Sequence, residues 1–523
     1  MGKFRNKLSS ALGGGVAFAV SLTPAIGQQA LVQQTTLPTT AAQTTLQQTT
    51  APSTVVQQTP SQQLIAQQAL RNPARQVGLP TTIQPIGTGT GLSVTLDYLT
   101  SLKHDNNLRL TDPSLGSTTW WENTLALSIL RQASDSSLAL DLSGLYRIAN
   151  EPIIGTESSF SDPSAQLAYQ RTRLNSQFGL QLEYREQDLA FNRSLTDTNL
   201  DGIINSADVI GTIGDQINTR ADLNWVVGLN APLGFQFDYS HRERRYKDTI
   251  DPSLFENSSD DYTAAVLFRI SPILLGNLTV DYRDFEADDS AQTDRQTTTV
   301  SAGGTYNISS VTTVSANVGY SQVDNTERAT NTNDVTEDYV WNFGWNKTLP
   351  DGVVTAQIDQ TFGVNGSRIN ATAGRSYQRA NGTLSFDAGF TRGPFDEVTP
   401  IGQIDYSYQL PSSRIGATIQ RRVGTSTDSL ETRQTLAFLT YDYFINPVSG
   451  LSFSLDFIDQ ETEGSGPSNP RQRGTFSASY SRVITRDWAM NVGYEYEKDD
   501  QNGFTASSSS VFLTLGRRFT LKP

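Results

Sequence analysis

Asn277-Leu278-Thr279-Val280-Asp281-Tyr282-Arg283 is the stretch that decides how this chain is read. Side chains of an extended strand alternate between two faces, so Leu278, Val280 and Tyr282 share one face while Thr279, Asp281 and Arg283 share the other. An acid between two apolar or aromatic residues returns as Leu96-Asp97-Tyr98, Leu140-Asp141-Leu142, Leu182-Glu183-Tyr184 and Phe237-Asp238-Tyr239. It returns again as Phe386-Asp387-Ala388, Leu455-Asp456-Phe457 and Tyr494-Glu495-Tyr496. The spacing, roughly forty-five residues, is that of a two-strand hairpin with its loops.

Composition narrows what such a repeat can build. Only 37% of the 523 residues are AVILMFWYC, so a large aliphatic core is not expected. No run is long and apolar enough for a helical span, but a barrel strand needs only alternation and keeps mean hydropathy low. The chain has no cysteine and two histidines, which excludes thiolate chemistry and disfavours zinc or triad catalysis. A net charge of −14 argues against a nucleic-acid partner, whose phosphates would be repelled.

Residues 1–27 read as a secretory signal. Lys3, Arg5 and Lys7 form the basic end, Leu8 to Leu22 a small and apolar middle, and Ala25-Ile26-Gly27 the small-x-small site. Residues 28–90 repeat Gln-Thr-Thr and carry Pro38, Pro52 and Pro60, the composition of a disordered periplasmic leader that cannot bury a core of its own. From residue 91 to 523 the text changes to strand, turn, strand, loop.

Alternation over 91–523 predicts an all-β chain of about twenty-two strands, the first at Leu92 to His104 and the last at Ser508 to Leu521. The count is even only if Asn381-Gly382 is a two-residue turn. Short turns such as Ser309-Ser310 and Pro350-Asp351-Gly352 follow even-numbered strands. Longer acidic loops follow odd-numbered ones, as at Asn150 to Asp162, Asn325 to Thr336 and Gly464 to Gln472. Aromatics cluster at strand ends, as at Trp120-Trp121, Trp341, Trp345 and Trp488, where interfacial girdles would lie. Together these features predict a transmembrane up-and-down antiparallel barrel in the bacterial outer membrane, in contact with its lipid.

Ser101-Leu102-Lys103-His104, followed by Asp105-Asn106-Asn107-Leu108 and Asp112-Pro113 and then by hairpins to the C-terminus, resembles the outer-membrane β-barrel porin family of proteobacteria associated with exopolysaccharide export. The resemblance implies passage of small solutes or of a polysaccharide chain. Barrels of this kind usually finish on an aromatic residue, whereas here Phe519 is followed by Thr520-Leu521-Lys522-Pro523.

Two sets of residues are candidates for ligand chemistry. Asp197, Asn199, Asp201, the carbonyl of Ile203, Asn205 and Asp208, with Gly202 for the bend, stand at the positions a Ca²⁺ loop requires and resemble the calcium loop of dockerin-type repeats. An acidic hairpin loop that matches by chance is the competing reading. The second set is a belt of Asp97, Asp141, Glu183, Asp238, Asp281, Asp359, Asp387, Asp456 and Glu495, all mid-strand on the polar face and so expected to line a lumen. Carboxylate rings select cations in pores. Equally, such acids can pair with Arg220, Arg269 or Arg283 and serve only the wall.

The sequence supports no enzyme: Tyr239-Ser240-His241 places its neighbours on opposite faces. It supports a porin-like channel first. The alternative is a structural or adhesive surface barrel with a closed lumen, and a siderophore-type receptor is weaker because residues 28–90 are too polar for a folded plug.

Overall fold

The alternation builds strands throughout the described part of the chain. In chain order they are β1 (Gly91–Asp105), β2 (Thr118–Gln132), β3 (Ser136–Glu151), β4 (Gly155–Arg173), β5 (Ser176–Asp188), β6 (Asp215–Val227), β7 (Leu233–Lys247) and β8 (Asn257–Ser271). Then come β9 (Leu274–Ala287), β10 (Thr293–Ser309), β11 (Thr312–Glu327), β12 (Thr332–Leu349), β13 (Gly352–Gly363), β14 (Gly366–Arg379) and β15 (Gly382–Arg392). The last are β16 (Val398–Gln409), β17 (Ser413–Thr425), β18 (Glu431–Asn446), β19 (Ser449–Glu463), β20 (Arg471–Val483), β21 (Trp488–Gln501) and β22 (Phe504–Leu521). This computed structural model describes residues 91–152, 154–191, 213–249, 251, 254–425, 431–463, 470–501 and 503–521. The expected signal segment 1–27, the expected leader 28–90 and the calcium-like loop 197–208 lie outside them.

Each strand pairs antiparallel with the next, and β1 pairs with β22 from Val94 opposite Leu521 to Asp105 opposite Ser510, closing a 22-stranded sheet. Closure satisfies the backbone groups that hydrocarbon cannot. The even count holds because Arg379 faces Gly382 across Ala380-Asn381, which separates β14 from β15. At Pro350-Asp351, Leu349 faces Gly352, whose φ is +146° and whose added Cβ would sit 1.9 Å from the Ser376 carbonyl oxygen. Only glycine fits that turn.

The outward face of β9 is the lipid face: Leu278 and Val280 are exposed, while Thr279 between them is buried. Its far limit is marked by tyrosines in register. Tyr239 faces Tyr262 and Tyr262 faces Tyr282, with ring centroids 5.0 and 6.2 Å apart. Past them the outward residues turn acidic, as Asp260, Asp284 and Glu286. At the short-turn end Trp345, Tyr377, Tyr408, Tyr443, Tyr480 and Trp488 face outward within the last few residues of their strands. Two aromatic girdles around an apolar band are what a transmembrane barrel presents to lipid.

Two expected loops are strand instead. Residues 150–162 mostly extend β3 and β4, joined across 152–154, and 325–336 mostly extend β11 and β12, joined across 328–331. Outside the membrane a strand has no apolar face to show, so Ser, Thr and Asn pair without leaving the alternation that sequence reading seeks. Pro163 also reads as a strand break, yet β4 runs through it. Ser143 faces Ser164 and Leu145 faces Ser161, which leaves Asp162-Pro163 opposite Gly144 as a bulge, with Asp162 at φ +51°.

Candidate functional site: the inner wall

Residues that face each other across an antiparallel ladder share a face of the sheet. Followed around the closed barrel, the register places all nine belt acids on the inner face: Asp97 faces Arg518, Asp141 faces Gln166, Glu183 faces Arg220, and Asp238 and Asp281 both face Thr263. Asp359 faces Asn370, Asp387 faces Gln403, Asp456 faces Thr475 and Glu495 faces Ser477.

What holds these acids differs around the wall. At the seam, Arg518 donates through Nε and Nη2 to the two oxygens of Asp97, at 2.7 and 2.8 Å. Across β6 to β9 the donors are neutral. Gln236 donates to Asp238 Oδ2 at 2.6 Å and Asn224 donates to Oδ1, while Thr263 donates to Asp281 Oδ1 at 2.5 Å. Asp281 Oδ2 has no hydrogen-bond partner. Asp359 accepts from Gln357 at 3.1 Å and from Asn370 at 2.9 Å. Arginines expected as partners of the belt are engaged elsewhere: Arg220 with Asp222 at 2.5 Å, Arg283 with Asp261 at 3.0 Å, and Arg269 with the carbonyls of Gly228 and Ala231.

Two other parts of the wall are cross-linked by ion pairs. Near the long-loop rim, Arg147 is 3% exposed and reaches Glu122, Asp162 and Asp188 at 3.0, 3.0 and 2.6 Å. Its guanidinium lies 3.9 Å from the Phe191 ring centre, and Trp120 donates to Glu122 at 3.1 Å. The Asp162 bulge delivers one of those three carboxylates. On β14 to β21, Arg368 pairs with Glu431, Arg473 pairs with Glu497, and Arg471 pairs with Asp499 at 2.6 Å. Leu436 and Ile458 face each other and pack together on the inner face between β18 and β19.

Sequence reasoning missed Arg147, Arg242 and Arg244. A signal was present in the text: on β5, β7 and β9 an arginine follows the belt acid by two or four residues, as Glu183/Arg185, Asp238/Arg242 and Asp281/Arg283. Ser240 turns inward and donates to Asp222 at 2.7 Å, whereas His241 turns outward to Asp260 at 2.9 Å, so the two form no dyad. Among the described residues no three His, Asp or Glu side chains converge as a metal site.

No family model matches the chain, and no curated protein matches it. Solved structures do. The FrpB iron transporter from Neisseria meningitidis (F3-3 variant) is similar at 9% identity and a TM-score of 0.54, over 83% of this chain and 82% of that one. The ferric-catecholate import receptor Fiu from E. coli K12, in its open form, is similar at 8% identity and a TM-score of 0.53, over 83% and 82%. At these identities the likeness is one of fold, and with the girdled apolar band it makes the chain an outer-membrane β-barrel of twenty-two strands.

Proposed function

We propose that this barrel is a porin-like channel for passive passage of small solutes across the outer membrane. A barrel of this strand number encloses a lumen too wide for its own side chains to fill, so whatever the lumen holds besides water must come from other chain segments. The observation that carries the reading is the polar inner wall, with Asp238, Asp281 and Asp359 held by neutral donors rather than by arginine. Such carboxylates keep their charge available to a passing ion and favour cations.

A polysaccharide chain is the finer alternative, supported by the resemblance of the Ser101 to Asp112 region to exopolysaccharide-associated barrels. Uptake of an iron complex, the activity named for FrpB and Fiu, is less well supported, because residues 28–90 are too polar to form a folded plug. For the loop 197–208 we propose Ca²⁺ binding at the outer face, through the oxygens of Asp197, Asn199, Asp201, Ile203, Asn205 and Asp208. Calorimetry at millimolar Ca²⁺ should show heat that Asp201→Ala abolishes; equal heats would end that proposal.

The channel is tested by inserting the folded protein in a planar bilayer. Steady conductance steps are expected. Protein that runs as a heat-modifiable folded barrel yet gives no conductance at saturation would favour the structural or adhesive surface role.

A further inference from the structure

Arginines stand on the outer surface at the short-turn end, and what meets them differs around the rim. On β4, Arg171 and Arg173 lie 2.9 and 3.8 Å from Asp135, in the turn between β2 and β3. On β14, Arg375 and Arg379 lie 2.5 and 3.6 Å from Asp351, in the turn between β12 and β13. In both places a turn carboxylate answers a pair of guanidiniums.

The sector from β20 to β22 breaks that pattern. Arg482 faces outward on β20 opposite Met490, Arg486 is exposed in the turn to β21, and Arg517 faces outward on β22 opposite Trp488. Among the described residues none of these three guanidiniums has an ion pair or a hydrogen bond. The acid of this turn, Asp487, is exposed and pairs with none of them. Arg517 is the member held in place: its guanidinium lies 5.5 Å from the Trp488 ring centre and 4.4 Å from that of Phe519. Its Nε is buried. Aromatic rings engage a guanidinium through its faces, which leaves the edge of its terminal N–H groups to an anion. An apolar strip continues from these residues toward the middle of the membrane. Met490 faces Leu515 and Val492 faces Leu513, all outward, with Val492 42% and Leu513 41% exposed.

From this arrangement we infer that the outer surface of β20 to β22 binds an anionic phospholipid of the periplasmic leaflet, with Arg482, Arg486 and Arg517 on its phosphate oxygens and the apolar strip along its acyl chains. Short turns face the periplasm, which sets the leaflet. Trp488 marks the headgroup level, where tryptophan settles in a bilayer. Guanidinium forks match phosphate with paired N–H donors, and here no carboxylate competes for them. The adjoining apolar strip selects a lipid over a free anion, which would gain nothing from it. The site depends on the barrel standing in its membrane and not on whether the lumen conducts.

The probe is cardiolipin, titrated into the folded full-length protein in detergent and read by native mass spectrometry beside phosphatidylethanolamine with the same acyl chains. A saturable cardiolipin adduct is expected, about tenfold or more tighter than the zwitterionic lipid. Arg486→Gln and Arg517→Gln should each weaken it about fivefold, the effect of one cation beside an anionic lipid surface. Arg171→Gln, on an arginine already met by Asp135, should leave it unchanged. A heat-modifiable gel shift checks that each variant is folded. Equal retention of the two lipids overturns the site, as does cardiolipin binding that the folded Arg486→Gln, Arg517→Gln double variant leaves intact. Inorganic pyrophosphate that displaces cardiolipin at equal concentration would overturn the lipid as the occupant.

Discussion

Two sectors of the inner wall use the same residue types in opposite ways. On β20 and β21 Arg471 and Arg473 are matched by Asp499 and Glu497, and at the rim Arg147 gathers three carboxylates, so contacts between opposite charges cross-link the barrel. On β6 to β10, the belt acids Asp238 and Asp281 are held by Thr, Gln and Asn while Arg220 stands opposite Arg242. Paired charges buried against a wall act as struts, and breaking one leaves an uncompensated ion. Carboxylates held only by neutral donors keep their charge, and on a lumen wall such charge acts on solutes. On the proposed channel reading, the difference separates a part of the lumen wall that maintains the cylinder from a part whose charge would meet a passing solute.

The comparison can be broken first at Arg147. Arg147→Ala leaves Glu122, Asp162 and Asp188 clustered without their cation, and should destabilise the folded barrel by about 3–5 kcal/mol, read as a lowered midpoint of guanidinium unfolding in detergent. A smaller effect is expected at the seam. Asp97→Asn removes a bidentate partner of Arg518 and should cost about 1.5–3 kcal/mol by the same measurement. In the other sector Asp281→Asn should change stability by no more than about 0.5 kcal/mol, since the amide oxygen still accepts from Thr263. If Asp281→Asn proves as damaging as Arg147→Ala, the two sectors are not different in kind.

The smallest effect lies at the short-turn end, outside the membrane. The Arg171 hydrogen bond to Asp135 holds that carboxyl below its ordinary 3.8. A folded value below the unfolded one adds stability that is present above pH 3.8 and fades as pH falls through the lowered value. Asp135→Asn should therefore be slightly less stable than the native chain at neutral pH and indistinguishable from it in strong acid, by unfolding midpoint at each pH.

How much of this was legible in the sequence follows from what alternation can encode. Leu278, Val280 and Tyr282 announce a lipid face and Asp281 an inner one because each membrane strand repeats the contrast every second residue. Beyond the membrane the contrast disappears, and residues such as those at 155–161 and 332–336 pair as strand without announcing it. Partners across the wall were not legible at all. That Arg220 meets Arg242 depends on the register of β6 against β7, and that Arg147 gathers Asp162 depends on a bulge at Asp162-Pro163. The calcium-like loop is the reverse case, clear as a motif and lying outside the described residues.

The reversal potential of the native channel in a planar bilayer, taken across a steep KCl gradient and compared with that of the Asp238→Asn, Asp281→Asn double variant, tests the central claim most directly. The native protein should show a potential of the sign set by cation preference, and the double variant a potential shifted toward zero with the barrel still folded. Conductance with the same reversal potential in both proteins would contradict the claim that the carboxylates of this sector face the passing ion.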